Sequence, residues 1–494
     1  LIRDKWTSRE DYRRRTFREA RKAVDAERAK DTAKGSGLTV PSGNDDYDRH
    51  DVKRAEIYAD IYHKDLQYNT TKGKWLKWDG SLWEERFGAE TEAAKGMANR
   101  LWTLARKAED ENPGSDGAKR LKKFARDCHT GKALETTPRI ARADPRMHVS
   151  QTDLDSEHDL FCVPNGYVDL RTGELHQPDP TKLMSLQAGT AYDPEAECPQ
   201  WLEFLNSVFS GEQDIADFLQ LCAGYSLTGH VGEEKMFVLY GYGGNGKSVL
   251  QNTLMRALGS YAKTSPPSLL VWKDKDDGPN SELASLAGVR LTSVNELESG
   301  DRLHEQTVKR LVGREPISAR FLYREFFEYW PTAKVWLRTN HRPIITGTDE
   351  GIWRRLVLIP FKRQFSDAEK DGGLEDRLLA ELPGILAWAV QGAVRWFANG
   401  LALPPVLQRE LQAYRTESDV LGEFLSLTTV TDPSGNVPHA VLWHNWKRHT
   451  QDEGFATGSK KTFTLRLKER GFEARKIGGT RSITGVRLRT SSDP

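Results

Sequence analysis

The spacing of hydrophobic positions changes along the chain, and each spacing predicts a different element. Between residues 198 and 227 apolar side chains recur at helical spacing, which predicts one or two amphipathic helices. Residues 74–83 alternate between apolar and polar positions beside turn formers, which is typical of a β-hairpin. Residues 90–109 have a helical pattern, and residues 161–174 contain two short strand patterns with turns. The first part of the chain is therefore predicted to be mixed α and β.

Strand, helix and turn patterns alternate from residue 235 to residue 359, as in an α/β domain. The apolar run 236–240 has the length of a buried strand, and residues 249–258 continue as a helix. Further strands are predicted at 289–294 and 333–339. Polar residues interrupt the run at 289–294, so this segment fits a buried strand and a surface strand about equally well.

The last part of the chain is predicted to be helical before it becomes basic. Residues 374–401 have a helical pattern in which Pro383 is tolerated as the start of a new helix. A further helix is expected near 420–425, after Pro404 and Pro405. Residues 438–490 then show the order helix, helix and hairpin, which is the order of a winged helix.

Charge is distributed unevenly, although the net charge is only +1. Residues 1–30 carry 11 Lys and Arg against 6 Asp and Glu, and residues 441–494 carry 12 against 5. Basic patches attract phosphate backbones. Lys460, Lys461 and Arg466 of the second C-terminal helix are therefore candidates for DNA contact, with a protein-binding role as the weaker alternative. The N-terminal run fits DNA contact and a solvated polar helix equally well.

Two protein classes are disfavoured by the sequence. No stretch approaches the roughly 18 uninterrupted apolar residues of a membrane span, and residues 1–30 are too charged for a secretory signal.

The four cysteines form no CxxC pair, so reduced core thiols are favoured over a zinc ribbon. They are Cys128, Cys162, Cys198 and Cys222.

Residues 241–248 have the GxxxxGK[ST] pattern and lie between a predicted strand and a predicted helix. Such a loop turns backbone N–H groups toward phosphate oxygens, and the following helix adds its positive end. We predict that Lys247 reaches the β- and γ-phosphates of ATP or another NTP, and that Ser248 holds Mg²⁺. A glycine-rich turn without a ligand is the weaker alternative. The binding candidates are Gly241, Gly243, Gly244, Asn245, Gly246, Lys247 and Ser248.

Polar residues follow the two later strands of the same domain. Glu296 and Glu298 come after the strand at 289–294, where a carboxylate can orient Mg²⁺ or the attacking water. Asn340 follows the strand at 333–339, where it can sense the γ-phosphate or serve as an ordinary turn residue.

Arg354 and Arg355 follow the core strands. Arginine neutralises charge on a transferring phosphoryl group, often from a neighbouring subunit, and a surface salt bridge is the alternative role.

Together these stretches resemble the ATPase of the poxvirus and phage/plasmid primase–helicase family, within the superfamily-three helicases. The combination is far more specific than the phosphate loop alone, and the resemblance covers most of the chain. The matching stretches are VPNGYVDLRTGEL at 163–175, GYSLTG at 224–229, GYGGNGKS at 241–248, NELESG at 295–300, VKRLVGREPISARFLYREFFEY at 308–329, VWLRTNHRP at 335–343, GTDEGIWRRLVLIPF at 347–361 and LPGILAWAVQGAVRW at 382–396.

The resemblance implies an α/β fold with an AAA+ P-loop ATPase core that assembles into a ring, commonly a hexamer, with ATP at the subunit interfaces. It implies that Glu296, with Glu298 as a second candidate, forms the acidic metal and water site. Asn340 matches the polar sensor. Either Arg354 or Arg355 matches the arginine finger that acts on the ATP of a neighbour.

The resemblance further implies that residues 318–329 form a hairpin lining the channel of the ring. Phe321, Tyr323 and Arg324 are then candidates for DNA contact through stacking and phosphate binding. Packing within the hairpin is the alternative role for the aromatic residues. Lys309 is a further candidate in the same region.

The chain is accordingly divided into six predicted parts. These are a basic helix and linker (1–50), a family-type N-terminal α+β domain (51–195), a helical collar (196–232), the ATPase (233–365), a helical segment (366–415) and a winged-helix DNA-binding domain (416–494).

The leading hypothesis is a ring-forming, ATP-dependent DNA helicase in phage, prophage or plasmid replication, acting in the cytoplasm of a bacterial host. It would hold single-stranded DNA in its channel and duplex DNA at the winged helix. A replication initiator that melts an origin without processive unwinding shares every motif. A small-molecule kinase leaves the basic ends and the hairpin unexplained. The chain begins with Leu rather than Met, which leaves an upstream primase domain or a separate primase open.

Overall fold

A computed structural model of the chain describes residues 50–271, 281–297, 301–345, 350–453, 457–490 and 493. The predicted N-terminal basic helix, nearly all of the linker, and Glu298 lie outside these residues. Among the described residues, none of the helices has both the length and the apolar character needed to cross a membrane. All four cysteine thiols are free and buried, as predicted.

The N-terminal part of the described chain consists of helices packed on a small sheet. Its elements are α1 (His50–Tyr62), β1 (Leu66–Asn69), β2 (Lys74–Trp78), β3 (Trp83–Glu85), α2 (Ala89–Glu111), α3 (Asp116–Cys128), α4 (Gly131–Ala141) and β4 (His148–Val149). The predicted hairpin is present as the antiparallel pair β2 and β3. The sheet order is β3-β2-β1-β4, and the four helices share one buried core with it.

A second small sheet connects this part to the centre of the chain. It contains β5 (Leu160–Val163), β6 (Gly166–Asp169) and β7 (Glu174–His176), followed by α5 (Pro199–Val208) and α6 (Gln213–Leu227). The strands and helices predicted in these two regions are therefore present, with β7 as an additional strand. Phe161 and Val168 of this sheet lie in the same hydrophobic core as the central domain.

The central domain has a five-stranded parallel sheet with the order β14-β8-β13-β10-β9. Its elements are β8 (Met236–Tyr240), α7 (Lys247–Leu258), β9 (Ala262–Ser265), α8 (Ser281–Ala284), β10 (Leu291–Asn295), α9 (Glu305–Val312), β11 (Ile317–Ala319), β12 (Phe327–Tyr329), β13 (Lys334–Thr339), α10 (Glu350–Trp353) and β14 (Leu356–Pro360). Strands β11 and β12 form the predicted antiparallel hairpin outside this sheet.

Both faces of the parallel sheet are covered, which explains why β8 and β14 are nearly continuous apolar runs. In β8, Phe237 and Leu239 enter one core while Met236 and Val238 enter the other. The first core also contains residues of α6 and α7, and the second contains residues of α9 and of the β11–β12 hairpin.

Polar residues interrupt the segment 289–294, so the sequence left open whether this strand is buried or lies at the surface. In the structure it is an inner strand of the sheet with buried side chains. Arg290, Thr292 and Ser293 are all buried. The Thr292 hydroxyl pairs with Ser265 Oγ at 2.8 Å, and the Arg290 guanidinium donates to the carbonyls of Leu160 and Leu227. These residues can be buried because their polar groups are hydrogen-bonded.

The chain ends in helices and a small basic unit, as predicted. The elements are α11 (Leu374–Ala380), α12 (Leu382–Asn399), α13 (Pro405–Glu417), α14 (Val420–Thr428), β15 (Thr429–Pro438), α15 (His439–Asp452), α16 (Lys460–Glu469), β16 (Ala474–Ile477) and β17 (Thr480–Leu488). Pro383 lies in the first turn of α12. The hairpin β16–β17 turns at Gly478 and Gly479, and β15 adds a third strand to it.

Candidate functional site

The phosphate-loop sequence lies between the end of β8 and the start of α7. Gly241 has φ +149°, and a Cβ atom there would lie 2.3 Å from the carbonyl oxygen of Phe361. Gly246 has φ +88° at the N-cap of α7, and a Cβ atom there would lie 2.8 Å from the Val208 side chain. Both positions therefore require glycine, which fixes the loop at the N-terminus of a 12-residue helix.

The Lys247 side chain is buried and folds back under this loop. Its Nζ donates to the carbonyl oxygen of Gly241 at 2.5 Å and to Oδ1 of Asn245 at 3.1 Å. Burial, together with the nearby Arg338, lowers the pKa of Lys247 to about 8, and Glu296 opposes this shift. An anion at this position would restore the pKa of Lys247, because an opposite charge favours the ammonium form.

Three of the predicted groups come together at one edge of the sheet. Nζ of Lys247 lies 3.3 Å from Oδ1 of Asn340, which follows β13. Glu296 follows β10, is exposed, and donates its backbone N–H to the carbonyl oxygen of Arg338 at 2.8 Å. Strands β8, β13 and β10 are parallel neighbours, so their carboxyl ends meet at this edge. Such an edge is where open α/β sheets bind ligands.

The oxygen donors at this edge suit a magnesium ion that keeps most of its waters and bridges to phosphate. Ser248 is exposed in the first turn of α7, and Glu296 is exposed directly after β10. Within the described ranges, no group of three or more His, Cys, Asp and Glu side chains is arranged to hold a metal ion. Ser248 and Glu296 are the residues at this edge that could hold Mg²⁺ together with a nucleotide.

The structure adds two features to this site that the sequence did not reveal. Arg338 lies on β13, two residues before Asn340, which follows the strand, and side chains two residues apart alternate back to the same face in a strand. That alternation could have indicated Arg338. The segment after β14 also holds the loop: Nδ2 of Asn245 donates to the Phe361 carbonyl at 3.2 Å, and the backbone N–H of Phe365 donates to the Gly244 carbonyl at 2.9 Å.

Arg354 and Arg355 lie at the opposite edge of the sheet. The backbone N–H of Met236, at the start of β8, donates to the carbonyl of Arg355 at 2.7 Å. The five residues of β8 then span about 16 Å before the phosphate loop begins. The side chains also differ: Arg354 is 64% exposed, whereas Arg355 is 12% exposed and donates to Gly351 and Glu234. Neither arginine reaches the phosphate loop of its own chain.

The β11–β12 hairpin presents aromatic side chains at its tip. Phe321 stacks on Phe327 with ring centroids 5.4 Å apart, and the Lys72 ammonium lies 5.8 Å from the Phe321 centroid. Tyr323 is fully exposed and has φ +60°. Arg324 extends toward Gly73 of the β1–β2 turn. The hairpin thus contains both a packed ring, at Phe321, and an open ring, at Tyr323.

The predicted DNA-contacting residues outside the hairpin have different surroundings. Lys460 and Lys461 are exposed in the first turn of α16. Arg466, in the last turn of α16, is half-buried, and burial lowers its pKa while Glu469 and Glu305 of α9 oppose the shift. Lys309 is half-buried on α9. Arg466 therefore lies toward the central domain rather than on an open basic face.

Comparisons with known proteins match two regions of the chain to family models and identify viral relatives. A family model described as "D5 N terminal like" matches residues 55–210, and one described as a family of unknown function (DUF5906) matches residues 239–355. The chain is 28% identical over 318 residues to "Putative helicase L207/L206" of Acanthamoeba polyphaga mimivirus. It is 25% identical over 240 residues to "Primase D5" of fowlpox virus. These matches confirm the resemblance to D5-type primases and helicases that the sequence predicted.

D5-type relatives are longer than this chain. The alignments cover 60% of the chain and 33% of the mimivirus protein, and 45% of the chain and 30% of the fowlpox protein. The chain thus spans about a third of these relatives. A solved structure, the apo form of the NrS-1 C terminal region, is 11% identical with a TM-score of 0.49, over 88% of this chain and 99% of that chain.

Proposed function

We propose that this chain is the ATP-dependent helicase part of a D5-type primase–helicase, and that it unwinds DNA during replication. The observation that carries the proposal is the separation of two sets of charged groups. Lys247, Glu296 and Asn340 meet at one edge of the sheet, while the exposed Arg354 lies at the other. Such a subunit has a nucleotide site on one side and an arginine for a second nucleotide site on the other.

ATP and Mg²⁺ are the proposed cofactors. The backbone N–H groups of residues 241–248 would surround the phosphates, and Lys247 would neutralise their charge. Ser248 and Glu296 would hold Mg²⁺, which supplies charge stabilisation at the transferring phosphoryl group. Glu296 would also orient the attacking water, and Asn340 would register whether a γ-phosphate is present. Glu298 remains a candidate for the same acidic site.

The proposed assembly is a ring of identical subunits, for which a hexamer is the leading size. The strand order β14-β8-β13-β10-β9 supports an AAA+ type of core, in which nucleotide sites lie between subunits. Of the two arginines, Arg354 is the proposed finger because its guanidinium is exposed. Arg355 is assigned a structural role because two hydrogen bonds hold its side chain in place.

DNA is the proposed second partner. Tyr323 and Arg324 at the hairpin tip would contact a single strand, since an open ring and a guanidinium suit stacking and phosphate binding. The order α15, α16, β16 and β17 supports a winged helix, and its exposed Lys460 and Lys461 would contact duplex phosphates. A primase upstream in the same protein or on a separate chain would complete the replication machine. Action in the cytoplasm of a bacterial host stays a proposal, because the mimivirus and fowlpox relatives do not test it.

A strand-displacement assay on a forked duplex tests the proposal. Wild-type protein should unwind the fork with ATP and Mg²⁺, and Lys247→Ala should abolish both hydrolysis and unwinding. Hydrolysis by a verified oligomer that separates no strands would instead favour an initiator that melts an origin without processive unwinding.

A further inference from the structure

Glu234 lies at the centre of a group of cations at the edge of the sheet that carries Arg354. Its Oε2 accepts a hydrogen bond from Nη2 of Arg355 at 2.7 Å and lies 3.7 Å from Nη2 of Arg354. Its Oε1 lies 3.4 Å from Nε of Arg314. Nζ of Lys235 donates to the backbone carbonyl of Arg354 at 2.5 Å. One carboxylate thus faces three guanidinium groups.

The three arginines are not equivalent. Arg355 is 12% exposed, whereas Arg314 and Arg354 are 65% and 64% exposed. Arg314 follows α9, and its guanidinium also donates to the Gly232 carbonyl. The segment 232–234 therefore contacts the guanidinium groups of both Arg314 and Arg354. Two exposed guanidinium groups that share one anion form a site that a stronger anion can enter.

Glu234 is held in place by its backbone. It has φ +53°, in the left-handed region, and lies directly before β8, where Met236 begins the sheet. The carboxylate is 25% exposed and lies on the far side of the sheet from the phosphate loop of its own chain. A nucleotide on the phosphate loop of the same chain would therefore be too far away to compete with it.

We propose that Glu234 is a positioning residue that holds Arg354 and Arg314 in the free subunit and releases them to the nucleotide phosphates of a neighbouring copy. The inference rests on the proposed function and deepens it, because it adds Arg314 to the surface that the neighbour's ATP contacts. Exposed ion pairs are weak and readily exchanged, whereas a triphosphate offers guanidinium groups more charge and bidentate contacts. The exchange therefore couples nucleotide binding to subunit association.

The test compares three variants of the full chain with the wild type: Glu234→Gln, Arg314→Met and, as a matched control, Glu233→Gln. Glu233 is the adjacent carboxylate, but its Oε1 accepts from Nε1 of Trp396 at 2.9 Å. Hydrolysis is measured as a function of protein concentration, and sedimentation with a non-hydrolysable ATP analogue gives the association state. Binding of the same analogue to dilute protein reports the phosphate loop alone.

Glu234→Gln should lower the protein concentration that gives half-maximal hydrolysis, by up to about tenfold, which corresponds to about 1.4 kcal/mol. The shift should shrink at high salt, which screens exposed charges. Arg314→Met should lower the plateau of hydrolysis without changing analogue binding by dilute protein. Glu233→Gln should match the wild type in both measurements.

Two results would overturn the inference while leaving the proposed function intact. One is an unchanged or higher half-maximal concentration for Glu234→Gln, and the other is a wild-type plateau for Arg314→Met. If wild-type hydrolysis does not depend on protein concentration and Arg354→Ala retains full activity, the shared nucleotide site fails, and the role of Glu234 fails with it.

Discussion

The amide oxygen of Asn340 lies 3.3 Å from the ammonium nitrogen of Lys247, across 93 residues of sequence. The two side chains follow adjacent parallel strands, β13 and β8, so the sheet itself sets their separation. This contact joins the predicted phosphate-binding lysine to the predicted sensor. A γ-phosphate that binds Lys247 would therefore also change the surroundings of Asn340.

The depressed pKa of Lys247 predicts proton uptake when nucleotide binds. The pKa is about 8 in the free protein, and bound phosphate should raise it toward its ordinary value. Uptake should then be small at pH 7, about half a proton at pH 8, and larger at pH 9. Calorimetry in buffers with different ionisation enthalpies measures it directly. Equal heats in all buffers at pH 8 would show that Lys247 does not titrate at the site.

The same shift has a consequence for stability without nucleotide. A folded pKa below the unfolded value means that the unfolded chain binds more protons between the two values. The free energy of unfolding should therefore rise with pH from about 8 toward the ordinary pKa of lysine. Lys247→Met should remove this rise, as measured by urea unfolding at several pH values.

Arg354 and Arg355 should respond differently to replacement by alanine. Arg354→Ala should fold normally, bind ATP, and hydrolyse it about 10³-fold more slowly, which is the lower end for an arginine finger. Arg355→Ala should instead lower the free energy of unfolding by about 1–3 kcal/mol, because its half-buried partners lose hydrogen bonds. Mixing Arg354→Ala with Lys247→Ala protein should restore some hydrolysis, since an intact arginine can then face an intact phosphate loop. Inactive mixtures of verified hetero-oligomers would argue against a shared site.

Arg290 should be among the most sensitive positions for stability. Its guanidinium is buried, lies 4.5 Å from the Tyr261 ring centroid, and donates to the Leu160 carbonyl at 2.6 Å. Arg290→Met should cost about 2–4 kcal/mol of unfolding free energy, because buried carbonyls lose a charged donor. Arg310→Met, an exposed position on α9, is the control and should cost less than about 0.5 kcal/mol. Similar urea midpoints for both variants would contradict this role of Arg290.

Arg290 also shows where sequence reasoning reaches its limit. The glycine-rich loop at 241–248, the helix after it and the helix, helix and hairpin order near the C-terminus were predictable because each depends on neighbouring residues. The burial of Arg290 depends on the Leu160 and Leu227 carbonyls, which lie 130 and 63 residues away. The proposed role of Glu234 likewise depends on its contacts with Arg314 and Arg354, which are distant in sequence. No local pattern signals such partners, because the strand order of the sheet brings them together.

Tyr323 and Phe321 should separate DNA contact from packing within the hairpin. Tyr323→Ala should weaken single-strand binding by about 1–3 kcal/mol, the effect of one lost stacking contact, and leave stability unchanged. Phe321→Ala should lower the free energy of unfolding, because its ring stacks on Phe327. Fluorescence anisotropy with a labelled oligonucleotide gives the affinity. Wild-type affinity for Tyr323→Ala would remove the hairpin tip from the DNA path.

The C-terminal lysines should contribute to duplex binding through salt-dependent phosphate contact. Lys460 and Lys461 are exposed, so a Lys460→Gln/Lys461→Gln variant should reduce the slope of log affinity against log salt by up to about 1.8. Arg466→Gln is the informative comparison, because Arg466 is half-buried near Glu305 of the central domain. It should leave the salt slope nearly unchanged. If Arg466→Gln reduces the slope as much as the lysine changes do, α16 must turn this residue toward DNA in the bound state.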